Sequence, residues 1–115
     1  MISSTENAEY YTWGDNCDGW HLLKTDNLSV IEESMPVGTQ EKMHLHQIAQ
    51  QLFYILSGEA TFIIDDLRAV VKAKQSIHIV ANTKHSISNS GDQDLKFLVI
   101  SAPKAHGDRV ELERE

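Results

Sequence analysis

The sequence predicts an all-β fold, a single antiparallel β-sandwich or barrel. Short stretches of apolar and β-branched residues recur at near-regular spacing. Turn-forming clusters such as Gly14-Asp15-Asn16, Asp65-Asp66 and Ser90-Gly91-Asp92-Gln93 separate them. No apolar stripe of helical period runs long enough to compete. At 115 residues the chain is one domain, large enough to bury a core without disulfide staples.

The elements follow in order. The first dozen residues are polar, with a Tyr10-Tyr11-Thr12-Trp13 patch that suits an edge strand. Gly14-Asp15-Asn16 and Asp18-Gly19 read as turns. Residues 20–24 and 28–35 are strands split by Thr25-Asp26-Asn27, and residues 36–39 form a loop. Residues 42–46 and 51–56 are the next strands, joined by a short turn at 47–50. Ser57-Gly58-Glu59 is a sharp corner where glycine admits a positive φ. Residues 60–64 and 67–72 meet at a tight turn, Asp65-Asp66. Residues 76–80 and 85–89 read as another hairpin around 81–84, and 95–101 is the last strand. The expected core spans about residues 20–101, with an N-terminal arm 1–19 and a C-terminal tail 102–115. That tail, containing His106-Gly107-Asp108-Arg109, is charged and reads as a frayed surface segment. Packing across a barrel mouth or a partner subunit is the alternative.

Composition narrows the function classes. The formal charge of −7 argues against non-specific binding to a phosphate backbone, and solubility accounts for it. Cys17 is the only cysteine, so no internal disulfide forms and a reducing, cytoplasmic setting is expected. The N-terminal residues lack the basic and apolar regions of a signal peptide, and the longest apolar run is too short to span a bilayer. Neither nucleic acid nor membrane is an expected partner.

Chemistry concentrates in two stretches, Gly38-x5-His44-x-His46-x4-Gln51-x6-Gly58 and His85-x3-Asn89. On a strand, residues i and i+2 share a face, so His44 and His46 point the same way, about 7 Å apart along the strand. An amide oxygen from Gln51 and a third imidazole from His85, on neighbouring strands, complete a set able to surround a small cation. Imidazole suits Zn, Cu, Fe and Ni without a strong choice among them.

The spacing resembles the cupin family, whose two motifs have the form G-x5-H-x-H-x3,4-E-x6-G and G-x5-P-x-G-x2-H-x3-N. The first matches at Gly38, His44, His46 and Gly58, with Gln51 in place of the usual Glu. The second matches at His85 and Asn89, while Lys74, Val80 and Asn82 stand where the family has Gly, Pro and Gly. The resemblance implies a cupin-type antiparallel barrel, a double-stranded β-helix or jelly roll of the RmlC-like kind. It also implies one divalent transition metal per chain (Zn, Mn, Fe, Ni or Cu) held by His44, His46, Gln51 and His85.

Gln51 changes the chemistry. Three neutral imidazoles and an amide leave the cation's charge uncompensated, which favours an anionic exogenous ligand. Gln51 has no titratable group, so it cannot serve as the base that the family's Glu supplies in oxygenases. Glu32 and Glu33 precede the first motif; alternation sends one of them inward, though both read as a solvated edge. His78 and His21, flanked by apolar residues, read as structural histidines, and His106 as a tail residue. Alternation from Gln51 and His85 places Phe53, Ile55 and Ile87 as possible pocket lining. It puts Leu52, Tyr54 and Leu56 on the outward face, where a homodimer partner would cover them.

Two function classes follow. One is a metal-dependent enzyme acting on a small polar or carbonyl-containing molecule, by isomerase, lyase or dioxygenase chemistry. The other is a non-catalytic module that binds or senses a small ligand.

Overall fold

The computed structural model describes residues 1–105 and 107–112. Among these every regular element is a strand, as the sequence predicts. They are β1 (Glu9–Trp13), β2 (Cys17–Lys24), β3 (Ser29–Met35), β4 (His44–His46), β5 (Gln50–Ser57), β6 (Glu59–Ile64), β7 (Leu67–Lys72), β8 (Ser76–Ile79), β9 (His85–Ser88), β10 (Leu95–Ala102) and β11 (Arg109–Glu111). One sheet has the order β1-β2-β3-β10-β5-β8 and the other β11-β4-β9-β6-β7. From β3 onward the chain passes back and forth between the sheets, with antiparallel pairing, in the manner of a jelly roll.

Side-chain alternation builds the interior. On β10, Leu95, Phe97, Val99 and Ser101 are buried while the residues between them are not. Phe53 meets Phe62 edge-on at 5.1 Å and Phe97 at 5.9 Å, and Met35, Ile55, Ile87 and Leu95 pack into the same core. Phe53 also reaches His85, 6.2 Å between ring centres, so the core abuts the histidines.

Local backbone chemistry fixes the corners. Asp65 and Asp66 have φ of 47° and 71°, the paired positive values of a type I′ hairpin. Gly58 has φ 84°, and a Cβ there would lie 2.7 Å from the Asp94 carbonyl oxygen. Lys74 (φ 67°) and Asn82 (φ 63°) hold left-handed conformations where the family pattern places glycine. The backbone shape is thus retained without the residue that adopts it most easily, at a cost of about 1 kcal/mol for a residue with a Cβ.

Three expectations are corrected. Asp18-Gly19 is not a turn but part of β2, where Gly19 pairs with Tyr11 of β1. The Tyr11 ring lies over the bare Gly19 backbone, in space that any side chain would need. The stretches 76–80 and 85–89 do not form a hairpin: β8 pairs with β5, whereas β9 pairs with β6 and β4. The turn chemistry at 81–84 marks a reversal, but that reversal carries the chain between sheets. Finally, part of the segment read as frayed is β11, which pairs with β4 from Arg109↔His46 to Glu111↔His44.

Candidate metal centre

The pairing of β4 with β9 sets His44 directly opposite His85, and His46 lies two residues along β4 on the same face. Ring centres are 4.4 Å apart for His44–His85, 5.1 Å for His44–His46 and 6.0 Å for His46–His85. One potential ligand atom from each lies within 4.8 Å of the others. Exposure is 2% for His44, 6% for His46 and 1% for His85.

Each ring is oriented through Nδ1. His44 Nδ1 donates to the Lys42 carbonyl (2.9 Å), His85 Nδ1 to the Thr83 carbonyl (2.8 Å) and His46 Nδ1 to Asp108 Oδ1 (2.8 Å). With the proton held at Nδ1, Nε2 carries the free lone pair of a metal-binding imidazole. Burial lowers His44 to about 3 and lowers His85 as well, so both are neutral at ordinary pH. His85 Nε2 is buried with no hydrogen-bond partner.

Gln51 comes from β5 in the opposite sheet and is also buried. Its Nε2 donates to Ser101 Oγ at 3.1 Å, which fixes the amide, while Oε1 is buried and unpartnered. Orphaned buried acceptors are costly, and a cation is the group that satisfies a cluster of them. Three imidazole nitrogens and an amide oxygen thus fit a borderline divalent ion.

His44, His46 and Gln51 open onto a cavity of about 510 Å³ between the sheets, lined also by Tyr11, Trp13, Ile31, Glu33, Glu41, Phe53, Val99 and Arg109. Glu33 is the inward member of the Glu32-Glu33 pair. Its Oε2 accepts from the Tyr11 hydroxyl at 2.6 Å, and burial pushes its carboxyl up to about 7, against that bond and Arg109. Burial likewise lifts Glu41 to about 8 despite its contact with Arg109 (3.3 Å). Glu41 Oε1 lies 3.7 Å from His44 Nδ1, too far for a hydrogen bond, and the neutral imidazole makes no ion pair with it.

The Cupin_2 family model, a cupin domain, matches residues 31–101. The chain is a cupin. An uncharacterized protein of Methanocaldococcus jannaschii is 35% identical over 94 residues, covering 81% of this cupin and 75% of that protein. An oxalate-binding protein of Thermotoga maritima is 32% identical over 66 residues, 57% of this chain and 54% of that one. Among solved structures, a predicted oxalate decarboxylase from Thermotoga maritima superposes with a TM-score of 0.82 at 22% identity, covering 90% of this cupin and all of that chain (100%). A double-stranded β-helix protein from Klebsiella pneumoniae gives 0.83 at 20% identity, over 99% and 93% of the two chains. At these identities the structures speak for the fold alone.

The remaining candidate residues of this cupin divide clearly. Phe53 lies on the cavity wall, whereas Ile55 and Ile87 are 0% and 1% exposed inside the hydrophobic core. Asn89 binds the Met35 and Gln93 carbonyls (2.8 and 2.9 Å) and so ties strand ends together. His78 is exposed and donates to Gln50 Oε1 at 2.9 Å, while the His21 ring packs on Tyr11. His106 lies outside the described residues. Sequence reading missed Asp108, Glu41, Tyr11 and Arg109 as parts of the site. Asp108 orients His46 and accepts from the Ile48 and Ala49 amides through Oδ2 (3.0 and 2.9 Å). Burial favours its neutral form, but those bonds outweigh it and hold the carboxyl below its ordinary range. Its only sequence signal is an acid next to a short β-prone pair in an otherwise polar tail.

Proposed function

We propose that this cupin holds one divalent transition metal through His44, His46, His85 and Gln51 Oε1, and acts as a metal-dependent enzyme on a small polar or carbonyl-containing molecule. The observation that carries this reading is the pair of orphaned buried acceptors, His85 Nε2 and Gln51 Oε1, beside the rings of His44 and His46. When bound, such a cation supplies Lewis acidity, which stabilises negative charge on a substrate oxygen, and redox reactivity if it is Mn, Fe, Ni or Cu. The neutral Gln51 favours isomerase or lyase chemistry over dioxygenation. It leaves the positive charge undiminished and offers no carboxylate to move a proton. Trp13, Ile31, Phe53 and Val99 give the cavity apolar walls that exclude water around a carbon frame.

The test is elemental analysis of protein purified without an affinity tag, with His44→Ala and His85→Ala alongside. The wild type is expected to carry one metal per chain and each variant to lose it while keeping β-type circular dichroism. Stoichiometric metal in either variant would place the site elsewhere, and zinc alone would count against dioxygenation. Likeness to a protein named for oxalate binding favours a second reading, a non-catalytic small-ligand binder. Oxalate that binds and is recovered unchanged after long incubation would support it.

A homodimer and a cytoplasmic location complete the proposal. Leu52 and Tyr54 continue an outward apolar band through their pairs Ile100 and Leu98 on β10, and Leu56 beside them is 39% exposed. A second copy would cover that face.

A further inference from the structure

We propose, resting on the metal reading above, that the cavity takes a hydroxylated monocarboxylate, with an anionic oxygen at the histidines and hydroxyl groups donating to Glu33 and Glu41, rather than a dicarboxylate. At the histidine end no candidate ligand is an anion, so a bound dication is not compensated there and draws one anionic oxygen. Elsewhere on the wall the balance reverses. Glu41 Oε2 meets Arg109 at 3.3 Å, but Arg109 also serves Glu111 at 3.3 Å, and Glu33 has Tyr11 as its donor. Glu41 Oε1 is buried and has no donor at all. The other cavity-lining cations are engaged, Lys24 with Glu9 (3.3 Å) and Lys104 with Asp26 (3.0 Å). This wall therefore presents one buried acceptor, Glu41 Oε1, that lacks a donor. A hydroxyl supplies one, whereas a second carboxylate meets like charge.

One further observation agrees. The cavity, at about 510 Å³, is far larger than a two-carbon diacid, on the order of seventeen water volumes at ~30 Å³ each. It suits a chain of several carbons lying along apolar walls.

The experiment uses the cobalt(II)-loaded full chain, whose visible absorption reports ligands entering the metal's coordination. It is titrated at pH 8 with three six-carbon probes: gluconate, adipate and hexanoate. Gluconate should half-saturate about tenfold below the other two, the worth of one charge-assisted hydrogen bond. Glu33→Gln, which keeps an acceptor for Tyr11, should weaken gluconate by about tenfold, tighten adipate and leave hexanoate unchanged; Glu41→Gln should do the same. Adipate equal to gluconate in the wild type, or variants that shift all three probes alike, would overturn the proposal. Bound cobalt that none of the probes perturbs would overturn it while leaving the metal reading intact. Failure of the wild type to hold cobalt would reject the metal reading itself.

Discussion

At the scale of single residues, the departure that matters most is Gln51. A carboxamide oxygen is a weak neutral ligand, so Gln51→Glu adds a charge directly at the proposed cation site. The variant should retain metal about tenfold more tightly in competition with a chelator. Unchanged metal content and pH dependence would show that Gln51 is not a ligand. Glycines differ in the same local way. Gly58 and Gly38 both have φ of 84°, but a Cβ at Gly58 would press on Asp94 and one at Gly38 meets nothing within 4 Å. Gly58→Ala should therefore lower the unfolding free energy by about 3 kcal/mol or more, and Gly38→Ala by only about 1 kcal/mol. Equal urea midpoints for the two would mean that the Gly58 corner yields easily.

At the scale of elements, β11 ties residues 109–111 to the candidate metal centre. It completes the edge beside β4, and Asp108 immediately before it orients His46 and binds two backbone amides. Asp108→Ala should weaken metal binding by about ten- to a hundredfold, as loss of a carboxylate behind a ligating histidine does. It should also destabilise the metal-free fold by about 1–3 kcal/mol through the orphaned amides. Isothermal titration with zinc and urea unfolding separate the two effects, and a variant with native zinc affinity would make Asp108 a structural clasp alone. β11 was hard to read from sequence because three residues in a charged context carry almost no periodicity. The β8–β9 stretch misled for another reason: turn residues report a change of direction, and two packed sheets offer a partner on either side.

At the scale of the whole molecule, the buried titratable groups set an unusual pH response in the metal-free protein. Burial raises Glu33 from 4.5 to about 7 and Glu41 from 4.5 to about 8, so the folded chain keeps protons that the unfolded chain releases. Stability from these groups falls as pH rises from about 4.5 toward 8. His44 acts in the opposite sense. Burial lowers it from 6.5 to about 3, the unfolded chain binds the extra proton, and stability falls as pH drops from 6.5 toward 3. The thermal midpoint of the metal-free protein should peak between about pH 4.5 and 6.5, and zinc should raise it and move the peak upward, since the cation displaces protons from the imidazoles. A metal-free midpoint that climbs steadily to pH 9 would show that the carboxyls are open to water. Dimerisation belongs to this scale too: sedimentation at micromolar concentration should give twice the chain mass, and Leu52→Lys with Tyr54→Lys should give one.

The sequence by itself determined the strand-rich class and the common face of His44 and His46, because alternation and turn chemistry are local and a period of two leaves no freedom about which residues point together, while the resemblance to the family motifs added His85. It also isolated Gln51 as the departure. Tertiary structure alone decided which of Glu32 and Glu33 enters the cavity, that Tyr11 crosses Gly19 to reach it, and that Asp108 returns from the far end of the chain to His46. Each of these depends on which strands become neighbours. Antiparallel pairing across two sheets brings together residues dozens of positions apart, and no local pattern records that choice.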